Sequence, residues 1–184
     1  MSLLKLKKSG RPRDLEISMA GLKLSSSVLT LGNDCELVAA LASAVGISGT
    51  ACAFTSSQSN ANKIAKTAVK TGVLVDVSTG KYGHLPYSAE TFDVVVVKDL
   101  IGSMYINERV VCLQQVLSVL REQGRCLIIE RAPRGGLGAL FSQRSQDQSY
   151  RATGGAINAL EAEGFRAVRM LAERDGNNFI EGTK

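Results

Sequence analysis

His84 is the sole histidine in a chain of 184 residues, so any imidazole general base would have to be His84. Its setting in the polar stretch "GHLPYSAET" suits an ordinary surface histidine equally well. Asp99 closes the run "FDVVVVKD" (92–99). A carboxylate at the end of such a strand could orient or deprotonate a substrate, or else bond the loop that follows. Asp34 and Glu36 in "LGNDCEL" (31–37) place two carboxylates directly after an apolar run. Tyr105 precedes a helical stretch, where its ring could stack on a planar ligand or simply pack. Cys35, Cys52, Cys112 and Cys126 form no CxxC pair and have no histidine at ligand spacing, so no metal site is expected. The serines at 25–27 and at 56, 57 and 59 have no base and acid beside them of the kind a hydrolase needs.

Such residues act only where regular elements hold them. "VLTL" (28–31) predicts a short strand, followed by a helix over 34–45 with Leu37, Val38, Leu41 and Val45 on one face and Gly46 as its stop. Asn33 with Glu36 three residues later has the form of a capping box, and Asp34 in the first turn suits the positive end of the helix dipole. "TACAF" (50–54) predicts a second strand, and 59–72 a second helix ending at Gly72. "VLVDV" (73–77) predicts a third strand. The four valines of 92–99 predict a strand covered on both faces, at the centre of a parallel sheet. A helix over 107–121, a strand at 126–130, a helix ending at Gly164 and a hairpin around "DGNN" complete the pattern. Alternating strands and helices followed by a hairpin imply a three-layer α/β sandwich with a mainly parallel sheet.

Hydrophobic residues make up 45% of the chain and charged residues 21%, enough for one domain with a real core. The net charge of +5 is unevenly placed: residues 1–13 hold Lys5, Lys7, Lys8, Arg11 and Arg13 and no acid. Residues 1–20 thus read as a basic arm that could meet an anionic partner such as nucleic acid, an acidic protein or a membrane surface, or remain a solvated tail. Residues 21–184 read as a single domain. Widely spaced reduced cysteines and the lack of an 18-residue apolar run point to a cytoplasmic protein with no membrane span and no export signal. A further basic segment, with Arg131, Arg134 and Arg144 around Gly135, Gly136 and Gly138, reads as a loop that could rim a site.

"VLTLG…ELVAALA", "LPYSAETFDVVVV" and "LQQVLSVLREQGRCLIIE" together resemble the class I S-adenosylmethionine-dependent methyltransferases, in particular the methyltransferase type 11 group, over residues 26–131. The resemblance implies a seven-stranded Rossmann-like sheet whose last strand is antiparallel, and a cofactor site at the C-terminal ends of the first strands. It places the S-adenosylmethionine positions at Gly32, Asn33, Asp34, Thr55 and Lys81, and acceptor-side chemistry at Asp99 or His84. Several of these residue types depart from the pattern. Thr30 stands where members carry an acid, Asp34 and Glu36 replace two glycines, and Thr55 and Lys81 replace two further acids. Asp76 could take over the last role only through a rearranged loop.

Each charged hydrogen bond lost to a ligand costs about 1.5–3 kcal/mol, so cofactor binding is expected to be weak or absent. Two functions follow from these observations: methyl transfer to an unknown acceptor, or a non-catalytic scaffold of the same fold that works by binding a protein or anionic partner.

Overall fold

In the computed structural model, residues 13–132 and 145–184 are described. They form α1 (Asp14–Ala20), β1 (Ser27–Leu31), α2 (Cys35–Val45), β2 (Thr50–Thr55), α3 (Gln58–Thr71), β3 (Asp76–Thr79) and β4 (Phe92–Lys98). A single 3-10 turn (Ile101–Ser103) leads to α4 (Ile106–Val119), β5 (Leu120–Arg131), α5 (Ser145–Ala152), α6 (Gly155–Ala162), β6 (Arg166–Arg174) and β7 (Asn177–Thr183). The strands make one sheet in the order β3-β2-β1-β4-β5-β7-β6. β1 to β5 are parallel to one another, and β7 runs antiparallel between β5 and β6. This is the expected three-layer architecture with its terminal hairpin.

The four-valine strand β4 lies between β1 and β5, and Val94 to Val97 are all buried, alternating between the two faces. Val94 and Val96 pack with Ala20, Val28, Leu37, Leu41, Leu127 and Phe179 on the side of α1 and α2. Val95 and Val97 pack with Leu29, Phe54, Leu113, Val116, Ile128 and Leu160 on the side of α4 and α6.

Three elements differ from the sequence expectation. β5 starts at Leu120, which pairs with Phe92 of β4, rather than at residue 126. β3 starts at Asp76 rather than residue 73, because Gly72 adopts φ +70° as the cap of α3 and the Val73 N–H bonds back to the Ala68 carbonyl. Residues 14–20, assigned no element from the sequence, form α1, which packs along α2 and buries Ala20. Apart from Arg131, the arginines and glycines of the basic loop lie outside the described residues, as does the basic stretch before Arg13.

Candidate functional site

The ends of β1, β2 and β4 meet at Gly32. Its φ is +133°, and a Cβ there would lie 2.8 Å from the Lys98 carbonyl oxygen, so β1 turns this closely beside β4 only with glycine. The next residue, Asn33, is exposed, but its side chain reaches back to β2. Asn33 Oδ1 accepts a 2.6 Å hydrogen bond from the Thr55 hydroxyl, and Thr55 is wholly buried. The Thr55 oxygen also faces the Ser57 N–H at 3.4 Å. A polar clasp therefore closes the gap between the ends of β1 and β2.

With Asn33 so engaged, the helix cap falls one residue later than the sequence pattern suggests. Asp34, not Asn33, caps α2, its Oδ1 accepting from the Leu37 N–H at 3.0 Å. Arg13 reaches Asp34 from the start of α1, with Nη2 at 3.0 Å from Oδ1 and 2.8 Å from Oδ2, while Nη1 donates to Glu16 at 2.7 Å. Thr30 is a core residue, flanked by Ala53 and Val96 on the neighbouring strands. Asp76 pairs with Cys52, three residues short of the Thr55–Thr79 pair that marks this edge, and so stands away from it.

Two cavities open on opposite faces of the sheet at this edge. The first, about 590 Å³, is lined by Ser56, Lys81, Tyr82, Leu100, Met104 and Val111, among others. The Tyr82 hydroxyl is buried there without a hydrogen-bond partner, and its ring meets Phe54 edge-on at 5.6 Å. The second, about 570 Å³, is polar and holds Arg13, Asp34, Lys98, Asp99, Arg131 and Asn177 together with acids of the β6–β7 turn. Lys98, only 8% exposed, donates to Asn177 Oδ1 at 2.9 Å and pairs with Asp99 at 3.2 Å. Asp99 has φ +49° and accepts from the Arg131 N–H at 3.1 Å, so it bonds the following segment as well as facing the cavity.

His84 lines neither cavity. It is exposed in the turn after Lys81, its N–H bonded to the Lys81 carbonyl at 2.9 Å. Tyr105 is 65% exposed at the start of α4, its N–H on Glu108 at 3.3 Å. Burial pushes the Cys52 thiol up to about 11, with Asp76 adding to it, and the Cys112 thiol up to about 12, so neither offers a thiolate at neutral pH. The edge therefore gathers Gly32, Asn33, Asp34, Thr55, Lys81 and Asp99 but not His84. Sequence reasoning passed over Lys98, Tyr82 and Asn177. The one signal for Lys98 was a lysine ending a strand of valines.

Residues 32–128, more than half of the chain, match the family described as methyltransferase domain. The chain belongs to that family. Among solved structures, this methyltransferase-family chain is similar to a SAM-dependent methyltransferase from Aquifex aeolicus, with TM-score 0.73, 18% identity, and coverage of 94% of this chain and 93% of that one. PigF with SAH matches at TM-score 0.69 and 14% identity, over 94% of this chain and 56% of PigF. The PH0226 protein from Pyrococcus horikoshii OT3 matches at TM-score 0.68 and 16% identity, over 92% and 85%. At these identities the likeness shows the fold. No curated protein matches the chain.

The cofactor implied by the family, S-adenosylmethionine, carries a ribose diol and an amino-acid end. The residues at its positions do not fit it. Thr55, where an acid would accept from the diol through two oxygens, offers a single hydroxyl on a residue that is wholly buried. Asp34 sets a carboxylate at the start of α2, where the cofactor's own carboxylate would meet it.

Proposed function

We propose that this methyltransferase-family chain works as a non-catalytic binding module whose donor site is closed by its own side chains. The observation that carries this reading is the 2.6 Å bond between Thr55 and Asn33, made by a fully buried threonine at the position that should accept the ribose. The arginine-paired Asp34 supports it from the other side of Gly32. Losing two or three charged hydrogen bonds of about 1.5–3 kcal/mol each weakens a micromolar ligand by several powers of ten. In this reading the basic residues before Arg13 supply contacts to an anionic partner.

A second reading, methyl transfer to an unidentified acceptor, is favoured by the 590 Å³ cavity that Ser56, Lys81, Leu100 and Met104 line at this edge. Calorimetric titration of the full chain with S-adenosylhomocysteine separates the two. The closed site is expected to give no saturable heat at millimolar ligand. A micromolar dissociation constant would overturn the closed-site reading and favour the second.

A further inference from the structure

At the opposite edge of the sheet, each of three successive helix-to-strand connections presents a large aliphatic side chain to solvent. Leu24, before β1, is 79% exposed; Ile47, before β2, is 99% exposed; and Leu74, before β3, is 86% exposed. Val69, in the last turn of α3, is 82% exposed. Ser27 pairs with Thr50 and Cys52 with Asp76 on adjacent parallel strands, so the residues just before them fall side by side along one rim. Leu24 lies beside Gly46, the residue before Ile47, since a Cβ at Gly46 would lie 3.3 Å from Leu24 Cδ2. Scattered exposed leucines are ordinary on a protein surface, but four almost bare aliphatic side chains along one rim form a patch.

The charge around the patch selects its partner. Lys23 adjoins Leu24, and α3 carries Lys63, Lys66 and Lys70 with no acid. Asp76 stands at the margin. Farther along the rim, Asp93 is engaged by Arg121 at 2.6 Å and by the Ser27 N–H at 2.7 Å. A second copy of the chain would bring these lysines against their own kind, which disfavours self-association. A surface that accepts separate aliphatic tips between anionic groups meets both features: an anionic lipid bilayer, with Leu24, Ile47 and Leu74 in the headgroup region and the lysines on phosphates. Among the described residues no helix is long and apolar enough to cross a membrane, so contact through this rim would be peripheral.

We propose that the rim formed by Leu24, Ile47, Val69 and Leu74 with Lys23, Lys66 and Lys70 docks the chain on anionic lipid surfaces. The proposal is independent of whether the opposite edge binds a methyl donor. Arg13, where the basic N-terminal stretch joins the fold, lies at that opposite edge beside Asp34, so arm and rim can be tested separately.

The test is co-sedimentation of the full chain with vesicles of phosphatidylcholine alone and of phosphatidylcholine with phosphatidylserine. Partition is expected only with phosphatidylserine, and it should fall as salt rises. Ile47→Ser and Leu74→Ser should each weaken it about tenfold, and Lys66→Glu and Lys70→Glu about fivefold each. All four positions are exposed, so an unchanged melting temperature confirms that each variant is folded. No partition with phosphatidylserine overturns the proposal. So does partition that survives Ile47→Ser with Leu74→Ser yet is lost on deleting residues 1–12, since the arm would then be the contact. Self-association in sedimentation velocity that Ile47→Ser abolishes would overturn it in favour of a second copy.

Discussion

Helix α1 is held at each end by arginine and carboxylate side chains, and the two ends differ in what surrounds them. At its C-terminal end, Arg125 of β5 donates to the Ala20 carbonyl at 3.1 Å and the Met19 carbonyl at 3.2 Å. Arg125 also pairs with Glu181 of β7, which takes Arg169 at 2.7 Å on its other oxygen. Glu181 is 5% exposed, and a Cβ at Gly21 would run into the Arg125 guanidinium. At its N-terminal end, Arg13 joins Asp34 and Glu16, with side chains 29%, 20% and 11% exposed. Both Glu181 and Asp34 have each carboxylate oxygen engaged, but the Glu181 cluster is built into the sheet. The other borders a polar cavity, where water or a ligand can compete for its partners. Similar chemistry thus anchors the fold at one end of a seven-residue helix and closes the lip of the candidate site at the other.

The largest effect should come from the buried end. Removing one partner of a fully buried ion pair costs about 3–5 kcal/mol, but Arg169 is largely solvated, so Glu181→Ala should cost about 2 kcal/mol. For a domain of this size that lowers the melting temperature by about 4–8 °C. The effect should depend on pH. Burial alone would push the Glu181 carboxyl up, yet the hydrogen bonds and charges of Arg125 and Arg169 outweigh it and hold the group below its ordinary value. A carboxyl so lowered stabilises the fold above its ordinary value, and that contribution is lost as pH falls through the lowered one. The gap between wild type and Glu181→Ala should therefore be full at neutral pH and shrink below about pH 4. A gap independent of pH would show that packing, not charge, holds this end.

The same contrast marks how far the sequence could be read. The valines of β4, the glycine stop of α3 and the "DGNN" hairpin are signals carried within a few residues, and each element lies where they place it. α1 gives no such signal, being too short to be stable alone and resting on Arg125, about a hundred residues away in sequence. Asn33 and Asp34 are comparable caps by residue type. The choice between them was made by Thr55, on the next strand. The polar cavity was equally hidden, because Lys98 and Asn177 meet only once β7 returns beside β5. Local elements were legible, whereas the site depends on side chains brought together by the finished sheet.

A smaller effect is expected at the site end, and there the cap can be separated from the ion pair. Asp34→Ala removes the bond to the Leu37 N–H and should cost about 1 kcal/mol, the usual value for an N-cap aspartate. Arg13→Ala leaves that cap in place and removes a pair that water already reaches, so it should cost less than about 1 kcal/mol. The double variant completes a cycle whose coupling energy reports the Arg13–Asp34 pair alone. A coupling of a few tenths of a kcal/mol in urea unfolding fits an exchangeable latch. A coupling above about 2 kcal/mol would place this pair in the class of buried ones, and the two ends of α1 would then be alike. If the latch is exchangeable, Arg13→Ala should also leave the fold intact while exposing Asp34 to solvent. That makes it the least perturbing variant in which to repeat the S-adenosylhomocysteine titration. Binding that emerges only there, despite the Asp34 carboxylate being left unpaired, would identify Arg13 as the group closing the site, while continued absence of binding would assign the closure to Asp34 and the Asn33–Thr55 clasp.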